Sequence, residues 1–278
     1  MIHLILAIIS SASVSVLMRL SERHVRNNVS MLALNYLMCA LMAGMYAGPA
    51  NLLAGGDGSG FAASFGAFNG LLYLGSFLLL QWNVRENGVV LPATFMKLGV
   101  LVPTLMAIAV FREMPTAAQI IGIAAAIVAI VMIRFERGER RARSGFGLLL
   151  LLLGGGATDA TSKVYEELGN PAFADRFLLW TFVAALALCV LLCAAKKQRL
   201  CGADTFFGLL IGVPNYFSAR FLLLSLSSVP AVVAYPTYSV ATIVVVTAVG
   251  VLLFGERLSR RQVAAMCIIL AALVMLNL

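Results

Sequence analysis

Long apolar segments recur along almost the whole chain, and they constrain its fold more than any other feature. They lie at roughly 2–20, 30–48, 62–82, 88–111, 116–133, 145–163, 174–195, 205–226, 229–254 and 259–277. A helix crosses the hydrocarbon core of a bilayer with about 20 such residues. Only 12% of the residues are charged and 62% are hydrophobic, so the chain cannot cover the surface of a soluble enzyme. We therefore predict an all-α membrane protein with ten transmembrane helices.

The basic residues are distributed unevenly between the two sides of these segments. Fifteen of the 20 Lys and Arg residues fall in the loops after the first, third, fifth, seventh and ninth segments, whereas Arg112, Lys163 and Arg176 fall on the opposite side. Loops rich in Lys and Arg stay in the cytoplasm. We therefore expect a multi-pass protein of the cytoplasmic membrane with both termini outside the cytoplasm. The net charge of +8 then reflects membrane orientation, and we predict no nucleic-acid partner.

The sequence offers little for a cofactor or for enzyme chemistry. Its five cysteines and two histidines lack the spacing of a metal site, and no nucleotide-binding loop occurs. We expect no metal and no cofactor. No paired-carboxylate or Ser/His arrangement emerges either, so an intramembrane enzyme is not favoured.

The two halves of the chain resemble each other when the sequence is shifted by 144 residues, or by 143 near the end of each half. The matched residues are Arg19 with Lys163, Glu22 with Glu166, Tyr36 with Trp180, Pro92 with Pro236, Glu113 with Glu256, and Gln119 with Gln262. We predict two five-helix repeats, residues 1–139 and 140–278. Because five is an odd number, the repeats enter the membrane in opposite orientations, which is a known transporter architecture.

Both halves end with a related motif. It reads Phe111-Arg-Glu-Met-Pro-Thr-Ala-Ala-Gln-Ile-Ile-Gly122 in the first half and Phe254-Gly-Glu-Arg-Leu-Ser-Arg-Arg-Gln262 in the second. With ten spans in two halves, the chain resembles the EamA-like family of the drug/metabolite transporter superfamily over its whole length. The second half departs from the pattern with Ala265 where the first half has Gly122. The resemblance implies transport of a small metabolite, such as an amino acid or another polar solute; relatives carry sugar phosphates, nucleotide sugars or quaternary amines.

Three charged residues lie deep within the predicted segments, well away from their ends: Lys97, Asp159 and Arg220. At 1.5 Å per residue, Lys97 is roughly 13–14 Å deep, where a charge costs at least about 2.5–3.5 kcal/mol. Asp159 and Arg220 lie at similar depths and could pair, and Asp159 also precedes Lys163 by one helical turn. If Asp159 neutralises Arg220, Lys97 is left to bind an anionic or zwitterionic substrate, or to take part in proton coupling. Structural ion pairing is the alternative role for Asp159 and Arg220. For Lys97 the alternative is a hydrogen bond to carbonyls freed by Pro92 and Pro103, or snorkelling to the interface.

A second set of candidate substrate-binding residues is aromatic or carries an amide: Tyr36, Tyr73, Trp180, Tyr216, Tyr235, Tyr238 and Asn215. Rings that face inward can bind an amine by cation–π attraction, with Asp159 as the counter-charge. Packing, or a position at the membrane interface, is the alternative role for each ring. Pro92 and Pro236 occupy equivalent positions in the two halves, and we predict them as hinges because proline removes a helical N–H.

Two further patterns predict structural roles. Glu113 and Glu256 stand just before the next helix begins, where a carboxylate can accept hydrogen bonds from first-turn N–H groups and favour the positive end of the helix dipole. The glycine run 154–156 lies inside the 145–163 segment. Such small residues favour close helix packing.

These features predict a secondary active transporter, an exporter or exchanger, that moves a small organic anion or zwitterion by alternating access. A proton or counter-solute gradient would drive it. The alternative is a transporter of organic cations or quaternary amines, and a channel is a third reading because some channels contain inverted repeats. The expected partners are the substrate and the lipid bilayer, and either a monomer or a homodimer suits a chain that already holds both halves.

Overall fold

The computed structural model describes residues 1–21, 24–53, 55–56, 58–87, 90–134, 145–198, 201–254 and 260–278. These residues form α-helices and a short 3₁₀ turn at Pro171–Phe173, and the described part of the chain contains no strand. The helices are α1 (Ile2–Ser21), α2 (Asn28–Leu53), α3 (Ser59–Asn87), α4 (Val90–Leu98), α5 (Leu101–Ala109), α6 (Ala117–Arg134), α7 (Gly145–Leu168), α8 (Ala174–Ala195), α9 (Gly202–Leu226), α10 (Ala231–Phe254) and α11 (Arg260–Leu276). The all-helical fold expected from the apolar segments is confirmed.

Within the described residues, six helices are long and apolar enough to cross a membrane. They cover Ile2–Ser21, Asn28–Gly48, Ser59–Val84, Pro171–Ala195, Gly202–Leu226 and Ala231–Leu253. Shorter apolar helices cover Phe95–Ala109, Ala117–Met132 and Val263–Leu276. The chain is a multi-pass membrane protein, whereas the count of ten spans and the side of each terminus stay predictions from the sequence.

The predicted 88–111 span is broken into two short helices, α4 and α5, which are separated at Gly99 and Val100. The N–H of Val102 donates to the carbonyl of Gly99 at 2.9 Å, which tightens the start of α5. Pro103 has no N–H and cannot continue an α-helical hydrogen bond to that same carbonyl. A glycine followed four residues later by a proline therefore accounts for the break.

The two predicted hinges, Pro92 and Pro236, have different surroundings. Pro92 lies in the first turn of α4, where a missing N–H costs no helical hydrogen bond. Pro236 lies inside α10, where it leaves the carbonyl four residues earlier without its usual donor. α10 nevertheless continues as one helix to Phe254. The observed break thus lies at Gly99 rather than at either proline, and hinge motion at these prolines stays a prediction.

The described chain divides into two compact units. The first contains Gly75–Lys163 and Leu226–Leu278 together with Met1, and the second contains Ile2–Leu74 and Val164–Ser225. Each unit draws on both predicted repeats, so the units are not the halves 1–139 and 140–278. The repeats were predicted from sequence similarity, whereas the units are defined by contacts between residues. The units therefore do not test the repeat boundaries, which stay a prediction.

In the first unit, α6 packs against α11, and α10 lies alongside both. The buried core of this packing consists of Ala126, Ala129, Ile130, Val240, Ile243, Ile269 and Ala272. A Cβ atom at Gly122 would lie 3.1 Å from the Ala272 carbonyl oxygen. Small residues on the inward face of α6 therefore let the two backbones approach closely.

In the second unit, glycines spaced one helical turn apart bring the helix backbones together. Gly66 and Gly70 of α3 face α8, and a Cβ atom at either position would overlap a carbonyl oxygen of that helix. Gly208 and Gly212 of α9 face α2, where added Cβ atoms would lie 2.6 and 2.7 Å from carbonyl oxygens. These glycine contacts join α3 to α8 and α9 to α2, and they position the aromatic and charged residues of this unit.

Candidate functional site

In the first unit, the broken helix crosses α7 at Gly99 and Gly156. A Cβ atom at Gly99 would lie 3.0 Å from the Gly156 nitrogen. A Cβ atom at Gly156 would overlap the Gly99 carbonyl oxygen and lie 2.6 Å from the Val102 Cβ. At the adjacent Gly155 the nearest atom would be at an ordinary 3.7 Å. The close packing predicted from this glycine run is confirmed, and it depends mainly on Gly156.

The crossing brings Lys97 and Asp159 into one region of the first unit. Lys97 lies in the last turn of α4, just before Gly99, and Asp159 follows Gly156 by three residues on α7. The two charges interact electrostatically, and both residues are partly exposed. Lys97 also lies at the C-terminal end of α4, where the helix dipole favours a cation. An ammonium and a carboxylate thus lie within electrostatic range of each other, near the break between α4 and α5.

Arg220 pairs with Asp175 and not with Asp159. Its guanidinium donates from Nε to Oδ1 of Asp175 at 2.7 Å and from Nη2 to Oδ2 at 3.1 Å. The sequence allowed Asp159 to neutralise Arg220 and so to leave Lys97 unmatched; in the structure Asp175 is the carboxylate that binds Arg220. The comparison of depths failed because it considered only carboxylates deep inside the predicted segments, whereas Asp175 lies at the very start of the 174–195 segment, in the first turn of α8.

Two tyrosines lie next to the ion pair of Arg220 with Asp175. Tyr216 donates its hydroxyl hydrogen to Asp175 Oδ1 at 3.3 Å. The ring centre of Tyr46 lies 4.5 Å from the Arg220 guanidinium carbon, which is a cation–π geometry. Asp175 and Tyr46 were missed as site residues. The available signal was that an Arg inside a transmembrane segment needs a carboxylate, and Asp175 is acidic at the start of another segment.

The second unit also brings three of the predicted aromatic residues together. Tyr36, Tyr73 and Tyr216 all contact Phe182, with ring centres 6.2–6.3 Å apart, and Tyr36 contacts Tyr73 at 6.5 Å. Tyr36 and Tyr216 are buried against other rings. Trp180 is 40% exposed, and among the described ring pairs none includes it. Sequence reasoning missed Phe182 because a phenylalanine inside an apolar segment gives no signal of its own.

Asn215 uses its amide to connect α9 with α2. Its Nδ2 donates to Asn35 Oδ1 at 3.2 Å and to Cys39 Sγ at 3.6 Å. The Cys39 thiol in turn donates to the Gly212 carbonyl at 3.2 Å. Asn215, predicted as substrate-binding, therefore lies in a polar contact between two helices that also meet through their glycines.

Tyr235 and Tyr238 lie on α10 in the first unit. The Tyr235 hydroxyl donates to the backbone carbonyl of Asp159 at 2.6 Å, and the residue is fully buried. Tyr238 is partly exposed. Tyr235 thus attaches α10 to α7 at the residue that carries the candidate carboxylate.

Glu113 lies between three elements of the first unit. Its Oε1 is 2.9 Å from Lys163 Nζ on α7, and these side chains are 15% and 3% exposed. Its Oε2 accepts a hydrogen bond from the N–H of Val232, in the first turn of α10, at 3.0 Å. Lys163 also lies over the ring of Phe111, 5.5 Å from its centre. The sequence placed Lys163 beside Asp159 at i,i+4 spacing, whereas the structure pairs Lys163 with Glu113.

The prediction that Glu113 caps the next helix along the chain is also wrong. Thr116 and Gln119 cap α6, with the Thr116 N–H donating to Gln119 Oε1 at 3.0 Å and the Gln119 N–H donating to Thr116 Oγ1 at 3.2 Å. This is a capping box, and it leaves Glu113 for the start of α10. The predicted capping role of Glu256 lies outside the described residues.

Three comparisons relate the chain to known proteins. The sequence model of a family described as Small Multidrug Resistance protein matches residues 177–269. An uncharacterized protein of Haemophilus influenzae is 23% identical in an alignment of 272 positions that covers 93% of this chain and 91% of that protein. The crystal structure of a protein matches 99% of this chain and 94% of its own, with a TM-score of 0.75 and 14% identity. At that identity the likeness shows the fold alone. The C-terminal match indicates a small-molecule transporter built from membrane-spanning helices.

Proposed function

We propose that the chain is a secondary active transporter that binds a small zwitterion, such as an amino acid, between Lys97 and Asp159. The observation that carries this proposal is the placement of these opposite charges together at the break between α4 and α5. Alternating access between two inverted five-helix repeats of the EamA type would move the substrate. The overall reaction is export, or exchange for a second solute.

The charge balance of the pair favours a zwitterion over a simple anion. Lys97 and Asp159 together carry no net charge, so a ligand with one ammonium and one carboxylate can contact both without leaving a charge unpaired. A ligand with a single charge can satisfy only one of them. Leaving a charged partner unsatisfied in a low-dielectric site costs at least about 1–3 kcal/mol, which corresponds to about tenfold or more in affinity.

The broken helix strengthens the same preference. The C-terminal end of α4 has a partial negative charge and the N-terminal end of α5 a partial positive charge. Both ends lie next to Gly99, so fixed dipoles of both signs occur at one level of the membrane. Discontinuous helices of this kind form substrate and ion sites in secondary transporters.

A gradient rather than ATP would supply the energy, because the sequence contains no nucleotide-binding loop. Asp159 is a candidate proton carrier, since protonation of its carboxyl would weaken its interaction with Lys97. A counter-solute with the same pair of charges could also drive exchange. In either case Lys97 and Asp159 must interact in the empty transporter and exchange that interaction for the substrate when it binds.

A second candidate function is the transport of organic cations. The match of residues 177–269 to Small Multidrug Resistance proteins favours it, and this range includes Phe182 and Tyr216 of the aromatic cluster. In this version an amine binds against the rings by cation–π attraction. Tyr73 is the most informative position for a test, because it is a partly exposed member of the cluster.

Ligand-induced thermal stabilisation of the purified protein tests both candidates. The ligands are matched sets: a neutral amino acid, its decarboxylated amine and its N-acetyl acid, with quaternary amines as the comparison. A ligand at 100 times its dissociation constant adds about 2.7 kcal/mol to the native state. We expect stabilisation by the amino acid alone, lost in Lys97→Met and in Asp159→Asn but kept in Tyr73→Ala. Stabilisation by amines that survives Lys97→Met and is lost in Tyr73→Ala would replace the zwitterion proposal with the cation one.

A further inference from the structure

We infer that Glu113 is a positioning residue for the transport site. By binding Lys163, it keeps that ammonium away from Asp159 and leaves the Asp159 carboxyl available to Lys97 and to the substrate. This inference rests on the proposed role of Asp159 and assigns a residue outside the site that controls its charge. The transporter would then contain an exchangeable ion pair, in which Lys163 binds either Glu113 or Asp159.

The position of Lys163 on α7 makes this competition direct. Lys163 follows Asp159 by four residues, and an acidic residue four places before a lysine is the favourable order for a helical ion pair. Helical side chains also point back toward the N-terminus. Lys163 is therefore directed toward Asp159 rather than toward Glu166 or Glu167, which follow it in the chain.

The burial of Lys163 explains why its ammonium would turn to a nearby carboxylate, and not to solvent, when Glu113 is neutralised. Its side chain is only 3% exposed, so its ammonium cannot turn to solvent if Glu113 is neutralised. In the structure Glu113 holds it at 2.9 Å, and the Phe111 ring covers the ammonium. When Glu113 loses its charge, Asp159, one turn away on the same helix, becomes the new partner of Lys163.

The same contacts connect the site to the start of α10. Glu113 accepts from Val232 in the first turn of α10, and Tyr235, about one turn later, donates to the Asp159 carbonyl. α7 and α10 are thus joined twice, at Lys163 through Glu113 and at Asp159 through Tyr235. Exchange of the Lys163 partner would release the first of these contacts while the second remains.

Carbodiimide labelling of Asp159 tests the inference without any knowledge of the substrate. Dicyclohexylcarbodiimide reacts with protonated carboxyls in apolar surroundings, and mass spectrometry identifies the modified residue. The variants are Glu113→Gln, Lys163→Met and their combination, measured in detergent with the full chain at one pH, chosen low enough that a fraction of Asp159 is protonated beside Lys97 in the wild type. We expect Glu113→Gln to lower Asp159 labelling roughly tenfold, within the range of about 5–150-fold for coupled sites, because Lys163 then holds Asp159 ionised. Lys163→Met and the double variant should label like the wild type.

Rescue in the double variant separates a positioning role from a merely structural one. Local disruption by Glu113→Gln would persist after Lys163→Met, so a double variant that stays poorly labelled would overturn the inference. Unchanged labelling in Glu113→Gln would overturn it as well. If Glu113→Gln does not fold, Glu113→Asp can replace it. Its side chain is one methylene shorter, so it weakens the contact with Lys163 and should also lower the labelling of Asp159. Failure of the proposed function is recognised separately, when Asp159→Asn keeps full ligand stabilisation.

Discussion

Replacing Gly156 with alanine tests whether the crossing of α7 with the broken helix positions the site. The added methyl group would overlap the Gly99 carbonyl oxygen and lie 2.6 Å from the Val102 Cβ. Neither atom is the end of a flexible side chain, so the helices must separate to admit the methyl group. Gly155 provides a matched control on the same helix, because its added Cβ atom would lie 3.7 Å from the nearest atom.

The comparison of the two variants isolates the steric cost. Both replace a glycine in α7, so the gain in helix propensity, about 1 kcal/mol, is common to both. Overpacking of a close contact costs about 1–3 kcal/mol. We therefore expect Gly156→Ala to be less stable than Gly155→Ala by about 1–3 kcal/mol, although its stability relative to the wild type can change little.

Thermal unfolding in detergent, followed by tryptophan fluorescence, measures this difference. Trp82 and Trp180 are the two tryptophans of the chain, and neither is at the crossing. Gly156→Ala should also weaken stabilisation by amino acids, because movement of the broken helix separates Lys97 from Asp159. Equal unfolding temperatures for the two variants, with equal ligand stabilisation, would refute the role assigned to this crossing.

Three other predictions concern features away from the crossing: an ion pair, a helix cap and the orientation of the termini. Asp175→Asn should lower stability by about 1–3 kcal/mol, because it leaves the Arg220 guanidinium without its carboxylate; Asp175→Glu is the control in a thermal unfolding assay, and an equal loss in both would argue against a charge effect. Thr116→Ala should cost about 0.5–2 kcal/mol through loss of the α6 cap, and a calorimetric melt unchanged by it would contradict the capping box. Epitope tags at both termini should be accessible to antibody on intact spheroplasts, and protection of either tag would contradict the predicted orientation.

The sequence predicted the membrane class and the close packing at Gly156 because both depend on local composition. Long apolar segments need only their own length to specify transmembrane helices, and a run of glycines permits close approach whichever helix lies opposite. The prediction of a hinge at Pro92 was less successful. Its chemistry is local, but its effect depends on its position within a helix, and the structure places it in the first turn of α4.

The pairing of charges could not be predicted in the same way. Asp159 and Lys163 are one turn apart and favour each other locally, yet Glu113 binds Lys163 from a loop 50 residues earlier in the chain. Arg220 likewise finds Asp175, 45 residues away. A buried cation takes the carboxylate that tertiary packing brings to it, and spacing along one helix does not contain that information.

The corrected pairs also change the reasoning about the substrate. An unmatched Lys97 would have left both an anion and a zwitterion open, whereas its interaction with Asp159 favours a ligand with both charges. The residues proposed to bind substrate stay the same in this part of the site. Their combined charge, rather than the identity of any one residue, determines which solutes fit.

Counterflow in proteoliposomes tests the central claim most directly. Vesicles loaded with a neutral amino acid are diluted into buffer that contains the same radiolabelled amino acid, its decarboxylated amine or its N-acetyl acid. The account predicts saturable accumulation of the amino acid alone, abolished by Lys97→Met and by Asp159→Asn and retained in Tyr73→Ala. Equal accumulation of the amine, or counterflow that survives both charge substitutions, would contradict binding of a zwitterion between Lys97 and Asp159.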